Sequence, residues 1–112
     1  MKKKITAIIR PEKLENVKEA LEEKGFIAMT ITDVKGRGAQ KGIHLQYRGK
    51  KTEVDLIPKV QIDMVLDEND VLRVMSTIKK AGKTGKAGDG KIFVSPVEMV
   101  ANVRDEEVMV SG

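Results

Sequence analysis

The stretch KKITAIIRPEKLENVKEALEEKG, residues 3–25, reads as a strand and a helix joined at a single proline. Residues 3–9 place Ile5, Ala7 and Ile9 on one face of a strand and Ile8 on the other. Pro11 suits the first turn of a helix, where the N–H that proline lacks would have no intrahelical partner anyway. Leu14, Val17, Ala20 and Leu21 then recur at helical spacing over residues 12–24, with Glu15, Lys18, Glu19, Glu22 and Glu23 outward. Gly25 is placed to cap the helix, since glycine enters the left-handed region without steric cost.

Working outward, the same strand-then-helix unit recurs. Phe26 to Val34 is β-rich, with Phe26, Ala28, Thr30, Thr32 and Val34 on one face and Ile27, Met29, Ile31 and Asp33 on the other. Lys59 to Leu66 alternates Val60, Ile62, Met64 and Leu66 with Gln61, Asp63 and Val65. Asp67-Glu68-Asn69-Asp70 supplies N-cap candidates for a second helix, whose apolar stripe is Val71, Val74, Met75 and Ile78 and which ends at Gly82. Lys91 to Val94 and Val97 to Val103 form a last strand or pair, interrupted by Pro96. The order βαββαβ predicts an α+β ferredoxin-like sandwich, one layer of helices on an antiparallel sheet. Met29, Met64, Met75 and Met99 lie at core spacing and read as packing.

A chain of 112 residues is one domain, able to bury a single two-layer core. It has no cysteine, so no disulfide framework or thiolate metal site is available, and a reducing cytoplasm is expected. Its apolar runs are too short for a membrane helix. His44 is the sole histidine and reads as a surface residue. Ser76, Ser95 and Ser111 have no His–Asp pattern around them, so a hydrolase triad is unsupported.

The net charge of +4 is unevenly spread. Residues 35–51 hold six cations and no acid, and residues 79–91 hold five cations and one acid, Asp89; the other 82 residues together carry −6. The same two segments hold eight of the ten glycines, and glycine lets backbone N–H groups approach and cradle an anion. Thr84-Gly85-Lys86-Ala87-Gly88-Asp89-Gly90-Lys91 runs from a helix end into a strand, so it is not a Walker A loop, which opens a helix. Gly88 and Gly90 can offer amides to phosphate oxygens, Lys91 adds charge, and Asp89 can orient the loop. The plain alternative is a solvated turn.

Residues 36–58 are too long for a tight hairpin, and loops of that length are usually functional. Ile43, Leu45 and Tyr47 can face Val54 and Leu56 across Arg48-Gly49-Lys50-Lys51 as a protruding ribbon. Arg48 beside Tyr47 at its tip suits a partner anchor. Gln40, Lys41 and Lys59, where the arm leaves and rejoins the body, suit a carboxylate. Nucleic acid is disfavoured: the aromatics are only Phe26, Phe93 and Tyr47, two of them at core positions, and the first helix is acidic.

Nearly the whole chain resembles the PII signal-transduction family, the trimeric nitrogen regulatory proteins. The likeness lies in Ala7-Ile8-Ile9-Arg10-Pro11-Glu12-Lys13-Leu14, Met29-Thr30-Ile31-Thr32-Asp33-Val34-Lys35-Gly36, Gln40-Lys41-Gly42, Tyr47-Arg48-Gly49, Val54-Asp55-Leu56-Ile57-Pro58-Lys59-Val60 and Thr84 to Val94. The last of these is the family's C-terminal signature.

The resemblance implies a cytoplasmic homotrimeric regulator, not an enzyme, reaching the membrane only through a transporter. It implies ATP or ADP in clefts between subunits and 2-oxoglutarate bound beside ATP and Mg²⁺. A long T-loop, residues 37–55 or so, would dock on an ammonium transporter first, glutamine synthetase or nitrogenase next. By matching position, Thr30, Gly36, Gly38, Ala39, Gln40, Val65, Gly88, Asp89, Gly90, Lys91 and Arg104 belong to the nucleotide site. Gln40, Lys41, Gly42 and Lys59 belong to the 2-oxoglutarate site, with Gln40 also on the metal. Tyr47, Arg48 and Gly49 belong to the partner surface. The chain departs from the family in having Ala39 where bacterial members usually carry arginine, and Asn102 with Arg104 where two arginines are usual. Thr52 replaces the uridylylated tyrosine and Lys50 the phosphorylated serine, so neither modification is expected.

Overall fold

The computed structural model describes residues 1–38, 43–47, 50–54, 56–105 and 109–110, the side chains only within 1–38 and 56–105. The elements are β1 (Lys2–Ile9), α1 (Leu14–Glu23), β2 (Thr30–Gly36), β3 (Ile43–Tyr47), β4 (Lys50–Val54), β5 (Ile57–Asp67), α2 (Val71–Gly82), β6 (Gly90–Pro96), β7 (Met99–Val100) and β8 (Met109–Val110). A 3₁₀ turn introduces each helix, at Pro11–Lys13 and Glu68–Asp70. The main sheet has the order β2-β5-β1-β6, every pairing antiparallel, with β2 and β6 at its edges. This is the ferredoxin-like α+β arrangement that the element order predicts.

The alternation in β1 sets the layers. Ile5, Ala7 and Ile9 stand opposite Met64, Ile62 and Val60 in β5, and all six are buried. Residues directly opposite on antiparallel strands share a face. The helices cover this face, α1 through Val17 and Leu21, α2 through Val71, Val74 and Ile78. The opposite face carries Lys4, Thr6 and Ile8 from β1, Lys59, Gln61, Asp63 and Val65 from β5, and Lys91, Phe93 and Ser95 from β6. Among the described residues no helix lies on it. Ile62 is fully buried between its strand neighbours and the helices. Ile62→Val removes one methylene and should cost about 0.5–1.5 kcal/mol, read from the shift in urea midpoint at unchanged slope.

Local chemistry moves several boundaries away from the pattern-based reading. The second strand begins at Thr30, not Phe26. Gly25, at φ +86°, turns the chain out of α1, and the Phe26 amide donates back to the Leu21 carbonyl at 3.0 Å. The Phe26 ring packs against the core with the Arg73 guanidinium 5.0 Å from its centre. Its backbone is committed to the helix end, so it cannot join the ladder. Ile31 and Asp33 fall on the helix-covered face, opposite Ile62 and Val60.

The expected side-chain caps at 67–70 are absent. Asp67 pairs with Lys2 at 2.9 Å, and Asp70 accepts from Arg73 at 2.9 Å. The start of the second helix is tied instead by the Glu68 amide, which donates to the Met1 carbonyl at 2.9 Å. Pro96 does not interrupt the last strand but closes it, which an edge strand tolerates because the missing N–H faces outward. Of the segment 97–103 only Met99–Val100 is a strand, paired with Met109–Val110 outside the main sheet. Met99 is correspondingly exposed, unlike Met64 in the core and the partly buried Met29 and Met75. Phe93, expected in the core, is half exposed on the open face.

The arm is a ribbon, with Ile43 opposite Val54, Leu45 opposite Thr52 and Tyr47 opposite Lys50. Leu56 takes no part in it and leads directly into β5. Among the described residues no helix is long and apolar enough to cross a membrane.

Candidate functional site

The basic glycine-rich segment spans the gap between α2 and β6, and its conformation is written by one carboxylate. Asp89 Oδ2 accepts the backbone N–H groups of Thr84 and Gly85, both at 2.8 Å. Asp89 Oδ1 accepts the Thr84 hydroxyl at 2.5 Å and Arg10 Nε at 3.0 Å. The Thr84 oxygen in turn accepts the Lys86 amide at 3.2 Å. The sequence requires this curl: Gly85, Gly88 and Gly90 sit at φ +87°, +97° and +109°, a region that side-chain-bearing residues avoid. The Thr84 hydroxyl foremost, then Arg10 and the two amides, hold the Asp89 carboxyl far below the usual carboxylate range, against the opposing pull of desolvation.

Two further contacts fasten the loop to the sheet. Arg10 Nη2 donates to the Ala87 carbonyl at 2.8 Å, and Lys59 Nζ donates to the Gly88 carbonyl. Arg10 follows β1 and Lys59 lies on β5, so adjacent central strands supply one cation each. Among the described residues Arg10 and Lys59 both reach the loop carbonyls around Gly88, and Asp89 is the acid that meets Arg10, leaving a net positive corner. Beside it a cleft of about 380 Å³ opens between α2 and β6. Ile9, Ile78 and Ile92 line its apolar part, and Lys79, Lys83 and Lys91 add cations. Positive charge beside flanking apolar surface suits a phosphate-bearing aromatic ligand.

The predicted residues divide into groups. Gly88, Asp89, Gly90 and Lys91 do form one loop-to-strand turn, and Lys59 joins it. Thr30 and Val65 lie elsewhere on the open face, around Asp63: Thr30 is opposite Asp63 and Val65 is two positions further along β5. β2 and β6 are separated by β5 and β1, three strand spacings or about 14 Å. One chain therefore does not bring Thr30 to Lys91. Gly36 ends β2 opposite Ile57, and Gly38 is exposed just beyond. Arg104 is exposed with its Nε 3.7 Å from Asp105, and Asn102 donates to Asp105 at 3.0 Å. Tyr47 ends β3. Ala39, Gln40, Lys41, Gly42, Arg48 and Gly49 lie outside the described residues, which contain no group of three or more potential metal ligands.

Beside Thr30 and Val65, Asp63 anchors a polar cluster that pattern reading passes over. It accepts Thr6 Oγ1 at 2.7 Å and Gln61 Nε2 at 2.9 Å, with Lys4 Nζ at 3.9 Å. The Gln61 amide chiefly, then Thr6 and Lys4, lower its carboxyl below the ordinary value despite some desolvation. Arg10 and Thr84 were also not among the expected site residues. The available signal for Arg10 was its place, a lone cation between an apolar strand and an acidic helix.

Comparison with known proteins gives the family. The family described as Nitrogen regulatory protein P-II matches residues 2–107. Two proteins of Methanothermobacter thermautotrophicus, named Nitrogen regulatory protein P-II 2 and P-II 1, are 52% and 53% identical over 105 residues, 94% of this chain and 91% of each relative. A Nitrogen regulatory protein P-II of Azospirillum brasilense is 50% identical over 105 residues, 94% of either chain. With a match along almost its full length, and with the sheet order and C-terminal signature already in place, the chain belongs to the nitrogen regulatory protein P-II family.

Proposed function

We propose that this protein is a non-enzymatic sensor that binds ATP or ADP through the loop of residues 82–91 or so, binds 2-oxoglutarate near Lys59, and reports both through the arm of residues 37–55. The observation that carries the reading is the Asp89-organised turn. It holds three glycines at positive φ and ties Arg10 and Lys59 to the loop, with Lys91 at the adjoining cleft, which supports a phosphate site there. The division of the expected nucleotide contacts between Lys91 and the distant Thr30 and Val65 supports a site completed by a second copy, hence a homotrimer with clefts between subunits. Mg²⁺ would bind with ATP and 2-oxoglutarate, Gln40 serving as its protein ligand, and would balance the charge that phosphate and carboxylate bring together. Lys83, at the cleft beside Lys91, can supply some of the positive charge lost with Ala39 and Asn102. The ligands would act by population shift, favouring one arrangement of Tyr47, Arg48 and Gly49 over others. An ammonium transporter is the first target, glutamine synthetase or nitrogenase the next, with the protein in the cytoplasm and at the membrane only through that transporter.

Isothermal calorimetry with ATP, ADP, AMP and 2-oxoglutarate tests this. Heat from ATP or ADP, and from 2-oxoglutarate only when Mg-ATP is present, is the expected result. Adenylate binding with no 2-oxoglutarate response would replace the reading with a divergent member sensing another small anion. Light scattering should give three times the chain mass of 12.4 kDa. A pull-down from native extract, with and without 2-oxoglutarate plus ATP, identifies the target.

A further inference from the structure

We propose that Arg10 is a positioning residue of the anion-binding loop, setting its amides through Asp89 and the Ala87 carbonyl while Lys59 restrains the loop from the neighbouring strand. Its function as a ligand site rests on the nucleotide reading above; its architecture does not.

The geometry is specific. Arg10 spends two separate N–H groups on the loop, Nε on the Asp89 carboxylate at 3.0 Å and Nη2 on the Ala87 carbonyl at 2.8 Å. A planar guanidinium that meets two acceptors fixes their relative placement, which a point charge cannot do. Both side chains of the pair are about three-quarters covered, at 23% and 24% exposure, so solvent screens it less than an open surface pair. Asp89 also holds the Thr84 and Gly85 amides, so Arg10 acts on them at one remove. Arg10 follows directly on Ile9, the last residue of the interior strand β1, which pairs with both Val60 and Gly90. The loop is thereby tied to an interior strand of the sheet.

Gly88 shows how close the two cations come. A Cβ built there would lie 3.2 Å from Arg10 Nη2 and 3.7 Å from Lys59 Nζ. Arg10 and Lys59 thus fasten consecutive residues, Ala87 and Gly88, from two adjacent strands. Lys59 also stands on the strand that leads back from the arm. An anion that draws Lys59 away from Gly88 leaves Arg10 as the remaining tie, so the loop keeps its shape during the exchange.

The test compares wild type with Arg10→Gln and Arg10→Lys, alone and combined with Asp89→Asn. Three quantities are read: ADP affinity by calorimetry at pH 7, hydrogen exchange of the Thr84 and Gly85 amides, and the Asp89 carboxyl titration by NMR. The charged groups facing that carboxyl are Arg10 from the end of β1, Lys59 from β5, and Lys79, Lys83 and Lys91 around the cleft. Arg10→Gln should weaken ADP by about 10-fold, the scale of one lost charge-assisted hydrogen bond, speed exchange at both amides, and raise the Asp89 titration midpoint. Arg10→Lys should restore the midpoint in part but not the amide protection, because only the fork reaches both acceptors. Adding Asp89→Asn to Arg10→Gln should cost less than the two single effects combined. If Arg10→Gln leaves the amide exchange and the Asp89 titration at wild-type values, Arg10 does not position the loop. If ADP binds to no variant and not to wild type, the nucleotide reading fails, and the exchange and titration data still decide the role of Arg10.

Discussion

Gly90→Ala will destabilise the protein by about 4 kcal/mol or more, at the extreme of what one substitution does. Two causes add. Gly90 sits at φ +109°, where a side chain is strained whatever the space around it. A Cβ there would also lie 1.7 Å from the Ile8 carbonyl oxygen and 2.8 Å from its carbon. Those are backbone atoms of the central strand, and no rotamer change relieves them. Gly90 is the first residue of β6 and pairs with Ile9, so relief requires the last rung of the β1–β6 ladder to open. With total stabilities near 5–15 kcal/mol, such a loss approaches global unfolding. Gly85 is the control: it has φ +87° but nothing within 4 Å of its would-be Cβ, so Gly85→Ala should cost only the backbone strain, about 1–2 kcal/mol. Urea denaturation of both variants checks this, and equal costs would show that the contact with Ile8 carries no penalty.

The same glycine illustrates what a sequence can disclose. Composition shows that the segment is glycine-rich and basic, and Thr84 to Val94 matches a family signature. Neither indicates that Gly90 lies against Ile8, because that contact joins residues 82 positions apart. The sandwich itself was legible because its signal is periodic. Ile5, Ala7 and Ile9 alternate, Val17 and Leu21 recur at helical spacing, and all five are buried as the pattern requires. Boundaries were less legible wherever a backbone group had a competing partner. Phe26 has strand propensity, yet its amide closes α1. Asp67 and Asp70 have cap chemistry, yet Lys2 and Arg73 take their carboxylates. Phe93 is apolar, yet its register with Thr6 puts it on the open face. At the site, Lys59 and Gly88 were each legible, but their contact depends on the sheet order, which sets strands far apart in sequence side by side. Arg10 was hidden for the same reason, since its partners Ala87 and Asp89 lie 77 and 79 residues away.

Asp89→Asn should abolish most of the loop's affinity for a phosphate ligand while leaving the core intact. Each carboxylate oxygen accepts two donors: Oδ1 takes Arg10 Nε and the Thr84 hydroxyl, and Oδ2 takes the Thr84 and Gly85 amides. An asparagine offers one acceptor oxygen and one donor NH₂. With the NH₂ toward the Thr84 and Gly85 amides both of those contacts become repulsive; with it toward Arg10 that one does, while the Thr84 hydroxyl can turn to accept, and either way the charge opposite Arg10 is gone. With two charge-assisted bonds lost, ADP affinity should fall by about 100-fold in calorimetry, whereas Lys86→Gln, on the exposed side of the loop, should change it by less than about threefold. The acid limb of stability gives a second, independent reading. The Asp89 carboxyl titrates below its unfolded value, near 3.9, so its stabilising contribution is complete above that pH and is lost as pH falls through the folded value. Asp63 and Asp67 are lowered as well, Asp63 chiefly by Gln61 and Asp67 chiefly by Lys2, and these slopes are common to both proteins. The stability gap between wild type and Asp89→Asn should therefore be constant from pH 7 to about pH 5 and narrow steadily below about pH 4. A gap that stays fixed down to pH 2 would mean that the ionised form of Asp89 is not what organises the turn. The loop would then owe its shape to the glycines and to the ties of Arg10 and Lys59 on the Ala87 and Gly88 carbonyls.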